Sequence, residues 1–205
     1  MCDSGRVRRV GFQPVHTEVR VVDADPAWSV RAEVLLAEIV DVLGPAVVHA
    51  DHIGSTSIPG MAAKDVLDIQ LSVLDLVSAE ADFDAGLAGL GFTLRPFNTD
   101  HVPAGSSDSP ANWGKRMWSR RDHPGGDVNL HVRLVGSPNE RLALLFRDWF
   151  RAHPEAVPGY ATFKRTLAGI CPDLGDYTEI KDPVVDLVIG IAQGWAEQTG
   201  WQPHS

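Results

Sequence analysis

Two segments of the chain alternate between aliphatic and polar residues, at residues 66–73 (VLDIQLSV) and 128–135 (VNLHVRLV). The polar positions are Asp68, Gln70 and Ser72 in the first segment and Asn129, His131 and Arg133 in the second. Because successive side chains of a β-strand point to opposite faces of its sheet, each segment is predicted to form a strand with one apolar and one polar face. The fold must therefore contain a sheet that buries the apolar face of these strands in a core.

The polar face of these strands has two interpretations. Antiparallel sheets commonly leave one face in solvent, and such a face needs no function. The presence of an Asp favours a ligand-facing surface, because Asp is a poor strand former. An acid, a histidine and arginines on one face can bind a metal ion or a phosphate group. Both interpretations stay open at this point.

The other elements predict an α/β (α+β) fold. A helix is expected from Pro26, which follows the N-cap residue Asp25, to Gly44. Further strands are expected at 46–53, 92–97 and 113–121, and further helices at 79–91, from the capping box at 137–140 onward, at 154–170 and at 181–198. This order predicts a mixed sheet flanked by helices, followed by a helical C-terminal part.

One domain is expected over residues 14–197, between a flexible tail at 1–13 and a second tail at 198–205, because 205 residues suffice for a single core. Residues 98–112 form a polar loop rich in Pro, Gly and Ser. Loops of this length inside compact domains are either functional lids or disordered.

Charge and hydropathy limit the partners. The formal net charge of −9 argues against a broad nucleic-acid surface, although a few local basic groups can still hold a small anion. No apolar run is long enough to predict a membrane span. The first residues, MCDSGRVRRVGF, lack the apolar segment of a secretory signal, so a cytoplasmic location is expected.

The turn between the first two strands is a candidate anion site. Gly54 allows a sharp bend and a close approach, and Ser55, Thr56 and Ser57 add hydroxyl and N–H groups that can cradle an anion. An ordinary loop whose hydroxyls cap the next segment is the alternative. Lys64 is a basic residue close to this turn in sequence, and it either binds a phosphate as a point charge or lies on the surface.

The stretch HIGSTSIPGMAAKDVLDIQLSV resembles the GrpB (UPF0157) family, a group within the nucleotidyltransferase-like superfamily. The resemblance continues through DPAW, NLHVRLVG, FRDWFRAHPEAVPGYATFK and YTEIK, and covers residues 14–197. It implies a nucleotidyltransferase-like fold, with a mixed β-sheet flanked by helices.

The resemblance also implies a site. In active members of the superfamily a Gly-Ser turn holds nucleotide phosphates, and acids on two strands hold divalent metal ions. Here Gly54 and Ser55 match the turn, and Asp68 matches the first acid. The chain departs from the pattern at the other two acids, where Gln70 and His131 stand. An amide brings no negative charge to hold a hard cation.

A divalent metal ion held by Asp68 and His131 is therefore expected from the resemblance. Mg²⁺ or Mn²⁺ is the expected ion, and Zn²⁺ is the alternative that a histidine ligand favours. The C-terminal Lys164 and Lys181 either face the same cleft, as the resemblance implies, or lie on solvated helix faces.

Three functions stay open. The first is a divergent enzyme that transfers a nucleotidyl or phosphoryl group to a small molecule, and the second is a non-catalytic module for a nucleotide or a coenzyme-A-like anion. The third is a scaffold recruited to non-phosphoryl biosynthetic chemistry, with His52 and His131 as acid–base residues. The predicted catalytic residues are Asp68, His131 and His52, and the predicted phosphate-binding residues are Gly54, Ser55, Thr56, Ser57, Lys64, Arg116 and Arg133. His52 has a structural alternative, packing at the strand end.

Overall fold

A five-stranded mixed sheet lies between two groups of helices in the described part of the chain. The structure is a computed structural model, and it describes residues 19–171 and 173–204. The helices are α1 (Ala27–Leu43), α2 (Leu76–Gly89), α3 (Pro138–Ala152), α4 (Val157–Ile170) and α5 (Leu174–Thr199). The strands are β1 (His49–Ile53), β2 (Val66–Val73), β3 (Thr93–Arg95), β4 (Lys115–Arg120) and β5 (Asp127–Leu134).

The strand order is β1-β2-β5-β4-β3, with β2 and β5 parallel and the other neighbours antiparallel. The register places Asp68 opposite Asn129 and Gln70 opposite His131. Because paired residues of neighbouring strands project to the same side, the two polar rows predicted from the sequence lie side by side at the centre of the sheet.

Each face of the sheet has its own apolar core. The first core joins α1 and α2 to the apolar residues of β2, β4 and β5, including the fully buried Leu67, Ile69 and Leu130. The second core lies among α3, α4, α5 and the segment after β1, around Met61 and Phe150. Burying one such large side chain contributes about 1.5–3 kcal/mol, so each core stabilises the group of helices that forms it.

The second layer of helices decides between the two interpretations of the polar face. Gln70 and Ser72 on this face have no exposed surface, because the C-terminal helices cover it. The face is therefore not the solvated side of an antiparallel sheet. The predicted α/β class, a mixed sheet flanked by helices, is confirmed.

Helix α1 begins one residue later than predicted, at Ala27, and ends at its C-cap Gly44 as predicted; Asp25 accepts a hydrogen bond from Ala27 N at 2.8 Å. Helix α5 begins earlier than the predicted residue 181, because the Asp173 side chain caps it through the N–H groups of Gly175 (2.9 Å) and Asp176 (3.2 Å). Pro183 lies within this helix rather than near its start.

The predicted capping box of α3 forms differently. The Ser137 side chain donates to Leu134 O at 2.7 Å instead of capping the helix, and the Glu140 carboxylate accepts from Gly136 N at 2.7 Å. The acid thus binds one residue further upstream than a capping box requires.

The loop at 98–112 is held at its start. Asp100 enters the interior between β4, β5 and α3, and His101 and the N–H of Ala104 both contact the Asp186 carboxylate of α5 at 3.0 Å. Residues 104–112 are exposed.

The predicted tail at 198–205 includes residues that pack on the fold. Trp201 Nε1 donates to Asp148 at 3.2 Å, and the His204 ring stacks on His49 at a centroid distance of 3.8 Å. The predicted tail at 1–13 lies outside the described residues.

None of the helices described is both long enough and apolar enough to cross a membrane.

Candidate functional site

The glycine turn packs directly against the first acid of β2. Gly54 has a φ of +66°, and a side-chain carbon at this position would collide with the Asp68 carboxylate. A short 3₁₀ turn, Ser55–Ser57, follows, and Ser57 closes it by donating its hydroxyl to Gly54 O at 2.6 Å. Only glycine meets both requirements, a left-handed backbone and no side chain.

Asp68 is held as an anion. Its Oδ1 accepts a hydrogen bond from Asn129 at 2.8 Å and lies 3.7 Å from His131 Nε2. Burial acts to raise the pKa of Asp68, but His131, Asn129 and the nearby Lys64 outweigh it and lower this pKa to about 2. Asn129, which the sequence prediction did not include, is thus one of the groups that fix the carboxylate.

His131 is neutral at ordinary pH. Burial lowers the pKa of its imidazole, and the charges of Arg133 and Lys115 act in the same direction, while Asp68 opposes them. Its Nδ1 is buried and finds no hydrogen-bond partner among the described residues.

Two lysines lie near this carboxylate, Lys164 buried and Lys64 partly exposed, and we refer to the site formed by the Gly54 turn, Asp68 and these two lysines as the cleft. Lys164 on α4 is 3% exposed, and its Nζ donates to Ser55 Oγ at 2.8 Å. Burial lowers the pKa of Lys164 to about 7, and the like charges of Lys181, Arg165 and Lys64 contribute, while Asp68 opposes them. Burial lowers the pKa of Lys64 as well, and Asp68 partly offsets that effect.

Two tyrosines pack against these lysines. Lys164 Nζ lies 5.1 Å from the centroid of the Tyr160 ring, and Lys64 Nζ lies 5.8 Å from that of Tyr177. Both rings present a negative face to an ammonium group. The spacing Tyr-x-x-x-Lys occurs in α4 and again in α5 at Tyr177 and Lys181, and this repeat is a sequence signal for the cationic side of the cleft.

The hydroxyls of the turn divide into two sets. Thr56 and Ser57 are 5% and 3% exposed, and their hydroxyls bond His52 Nε2 (2.9 Å) and Gly54 O. Their predicted role as hydroxyl ligands of phosphate is therefore replaced by a role inside the turn. Ser55 is partly exposed and is the hydroxyl of the turn that faces Lys164.

His52 belongs to the structure of the turn. Burial lowers its pKa to about 4, with Arg151 and Arg147 contributing and Asp68 opposing, so the ring that contacts Thr56 is neutral. Arg151 donates to Ser57 O at 2.8 Å and Arg147 to His52 O at 3.3 Å, which anchors the turn to α3.

Gln70 is not a cleft residue. It has no exposed surface, and its amide oxygen accepts from Arg133 Nη1 at 2.5 Å while its Nε2 donates to Glu140 O at 3.4 Å. Arg133 also pairs with Asp100 at 2.8 Å, and Lys115 pairs with the same carboxylate at 2.5 Å. We refer to Gln70, Asp100, Lys115 and Arg133 as the buried ion network. Arg133, which was predicted to bind phosphate, is paired with Asp100 and Gln70 inside this network.

Arg116 was also predicted to bind phosphate, and the structure contradicts this. The side chain forms an ion pair with Glu80 of α2, and its neighbour Trp118 is buried in the first core, where it donates to Asp84 at 3.0 Å. Residues 116 and 118 project toward α1 and α2, because alternation along β4 separates them from Lys115 and Met117.

Asp68 and His131 are the two residues near the turn that were predicted to hold a metal ion. Among the described residues, no group of three or more His, Cys, Asp and Glu side chains is placed to hold one. Asp68 and His131 lie together, but the Asp68 oxygen nearest His131 already accepts a hydrogen bond from Asn129. A divalent ion held by Asp68 and His131 stays a prediction.

Fold and cleft together define an α/β protein in which a glycine turn, one carboxylate and two lysines share a small polar site. The family model described as GrpB protein matches residues 18–190, and the chain belongs to this family. Membership of the wider nucleotidyltransferase-like superfamily stays a prediction.

The chain is similar to three proteins that illustrate this family. It is 34% identical to the UPF0157 protein SCO7215 of Streptomyces coelicolor over 173 residues, which cover 84% of this chain and 83% of that one. The crystal structure of the conserved protein GrpB from Enterococcus faecalis has a TM-score of 0.70 and 24% identity, covering 86% of this chain and 99% of that one. This second likeness supports the fold.

The third relative is a longer protein. The chain is 33% identical over 204 residues to a protein named dephospho-CoA kinase from Mycolicibacterium paratuberculosis, with 93% of this chain and 50% of that protein covered. The chain thus spans about half the length of this relative.

Proposed function

We propose that the cleft between the Gly54 turn and α4 binds the phosphate group of a small molecule of the nucleotide or coenzyme A class. The observation that carries the proposal is Lys164, a buried amine at 2.8 Å from Ser55 Oγ with a pKa lowered to about 7. Burying a cation without a paired acid is costly, and a bound anion removes that cost.

The charges around the cleft support the same ligand. Within the described residues, neither Lys64 nor Lys164 has a carboxylate oxygen within the 4.0 Å of an ion pair. The negative charge of Asp68 acts on both lysines and opposes the lowering of their pKa values. The charges of Lys64 and Lys164 are only partly balanced by the carboxylate of Asp68. A phosphate bound at the partly exposed Ser55 hydroxyl would supply further negative charge.

The name of the longer relative, dephospho-CoA kinase, suggests a different activity, phosphorylation of dephospho-CoA. A phosphate-binding loop of the P-loop type requires the pattern G-x-x-x-x-G-K-[ST], which this sequence does not contain. The function proposed for this chain is therefore ligand binding and not the kinase reaction.

Metal-dependent nucleotidyl or phosphoryl transfer is the second candidate. It is favoured by one observation, the direct packing of the Gly54 turn against the Asp68 carboxylate. The two candidates differ in what Asp68 does. A metal-dependent enzyme needs its charge, whereas a lysine-based anion site tolerates its loss.

Ligand binding is tested by thermal denaturation and calorimetry with inorganic phosphate, ADP and coenzyme A, in EDTA and then in Mg²⁺. We expect at least one of the three to raise the melting temperature in EDTA, because a ligand that binds only the folded state stabilises it. Lys64→Gln should reduce the increase, and the control Arg95→Gln, at the exposed end of β3, should keep it.

The variant Asp68→Asn separates the candidates. Retained or tighter phosphate binding in EDTA supports the lysine-based site. Binding or turnover that needs Mg²⁺ and disappears in Asp68→Asn supports the metal-dependent enzyme. If none of the three ligands stabilises the wild-type chain, the proposed function is wrong.

A further inference from the structure

The Ser55 hydroxyl is the one of the three hydroxyls in the turn that a ligand can reach. Thr56 and Ser57 are buried, and their hydroxyls are bound within the turn. Ser55 is partly exposed and contacts a lysine amine at 2.8 Å. A hydroxyl that is accessible to a ligand and hydrogen-bonded to a basic group is the arrangement of an activated nucleophile.

We infer that Ser55 and Lys164 form a nucleophile–base pair that takes a phosphoryl group from a phosphate monoester or an acyl phosphate. This inference rests on the proposed phosphate site and gives that site a reaction. Serine–lysine pairs act as nucleophile and base in acyl-transfer enzymes, with the lysine in the role that histidine has in a catalytic triad.

The position of Lys164 suits a base. Its side chain is 3% exposed, and its Nζ lies 5.1 Å from the centroid of the Tyr160 ring and 2.8 Å from Ser55 Oγ. A neutral amine accepts the hydroxyl proton, and an ordinary surface lysine would be protonated at neutral pH. The lowered pKa of Lys164, about 7, is consistent with this role.

The reaction balances with water as the second reactant. Ser55 Oγ attacks phosphorus while its proton moves to Lys164 Nζ, and the bond from phosphorus to the leaving oxygen breaks. A leaving alcohol takes the proton from Lys164, whereas a leaving carboxylate or phenolate departs as an anion and Lys164 releases the proton to solvent. Water then attacks the phosphoserine and gives a proton to Lys164 while the bond from phosphorus to Ser55 Oγ breaks. Lys164 returns this proton to Oγ, which releases inorganic phosphate and restores the Ser55 hydroxyl. Lys64, whose charge acts on both Asp68 and Lys164, is close enough to offset the charge of the phosphate.

The test is phosphoryl transfer to the protein from acetyl phosphate and from p-nitrophenyl phosphate. After acid quenching, intact-protein mass spectrometry should show one added phosphoryl group, and peptide mapping should place it on Ser55. The initial rate of labelling should rise with pH through about 7 as Lys164 loses its proton. Thr162→Ala, which removes an exposed hydroxyl on α4, should label as the wild type does.

Two variants separate catalysis from binding. Ser55→Ala should abolish the label. Lys164→Arg keeps the positive charge but cannot act as a base, so it should retain phosphate binding and label at least ~10²-fold more slowly. Circular dichroism and thermal denaturation of both variants show whether they fold. If either variant is unfolded, the inference is decided on the wild type, by the residue that carries the label and by the pH dependence of the labelling rate.

The opposite results overturn the inference. A label at another residue, an unchanged rate in a folded Lys164→Arg, or a rate in the wild type that does not change through pH 7 each exclude this pair. Phosphate-dependent stabilisation without any label makes Ser55 a binding group, and the proposed function then survives. Absence of both stabilisation and label removes the proposed function as well.

Discussion

Two charged regions lie on the same face of the same sheet, and they are built differently. In the buried ion network, Asp100 accepts from Arg133, Lys115 and Asn139, and Gln70 binds the remaining edge of the arginine. Both cations of this network are thus paired with the same carboxylate. In the cleft, two residues earlier along β2, Asp68 faces lysines that have no close acid of their own.

The difference shows that burial of charge does not by itself mark a functional site. Lys115 and Arg133 are 8% and 6% exposed and Lys164 is 3% exposed, so all three cations are buried to a similar degree. What distinguishes Lys164 is the missing partner, and the missing partner is what a ligand can supply.

The largest expected effect is on the buried ion network. Asp100→Ala leaves Arg133 and Lys115 buried without their shared acid, and we expect a loss of about 3–5 kcal/mol in the free energy of unfolding. Urea titration measures it, with Asp108→Ala in the exposed part of the same loop as the control. A loss below about 1 kcal/mol would contradict this pairing of the two cations with Asp100.

Gly54→Ala should have the next largest effect, and it acts on the cleft. The left-handed backbone and the contact with Asp68 together should cost about 1–3 kcal/mol and should also weaken phosphate binding. Gly44→Ala is a matched control, because Gly44 also has a positive φ, of +63°, but a side-chain carbon there meets nothing within 4 Å. Equal losses in both variants would show that contact with Asp68 contributes nothing.

The third prediction concerns pH. The folded pKa of Lys164, about 7, lies below its ordinary value of 10.5, so the unfolded chain binds more protons between these values. Stability contributed by this group therefore rises with pH from about 7 to about 10, and the full destabilisation is present below 7. Lys164→Met should be more stable than the wild type by about 1–3 kcal/mol at pH 6, and this difference should shrink by pH 10.

Urea titrations at both pH values measure the effect. Arg95→Met, at the exposed end of β3, is the control and should show no such pH-dependent difference. A difference for Lys164→Met that stays the same at pH 6 and pH 10 would contradict the lowered pKa.

The smallest expected effect is that of Gln70→Glu, which restores an acid at the second position of the superfamily pattern. The new carboxylate would pair with Arg133 inside the buried ion network, so we expect a change in stability of no more than about 1 kcal/mol. We also expect no gain in Mn²⁺ binding by calorimetry. A new Mn²⁺ site in this variant would show that residue 70 belongs to the cleft and not to the buried ion network.

Periodicity alone gave the strands and their faces. Residues 66–73 form β2 as predicted, and Asp68, Gln70, Asn129 and His131 do share one face. Periodicity cannot show what covers a face, and here α3, α4 and α5 divide the polar row into the cleft and the ion network. That division depends on contacts between residues far apart in sequence, such as Gln70 with Glu140 and Ser55 with Lys164.

The two arginine predictions failed for different reasons. Arg116 lies on the opposite side of the sheet, and the alternation along β4, with Trp118 on the same side, was the signal that should have placed it there. Arg133 lies on the expected side but is occupied by Asp100, an acid in a loop whose path no local pattern predicts. Asp100 is held in place by buried polar groups that need a hydrogen-bond partner and that come from distant parts of the sequence.

The way in which the loop at 98–112 is fastened has a practical consequence for protein engineering. Its first part is fixed by Asp100 and by the contacts of His101 and Ala104 with α5, whereas residues 105–109 are exposed. Exposed segments of small polar residues accept insertions well. A fluorescent reporter or an affinity handle placed between Gly105 and Asp108 should thus leave both the anchored start of the loop and the cleft undisturbed.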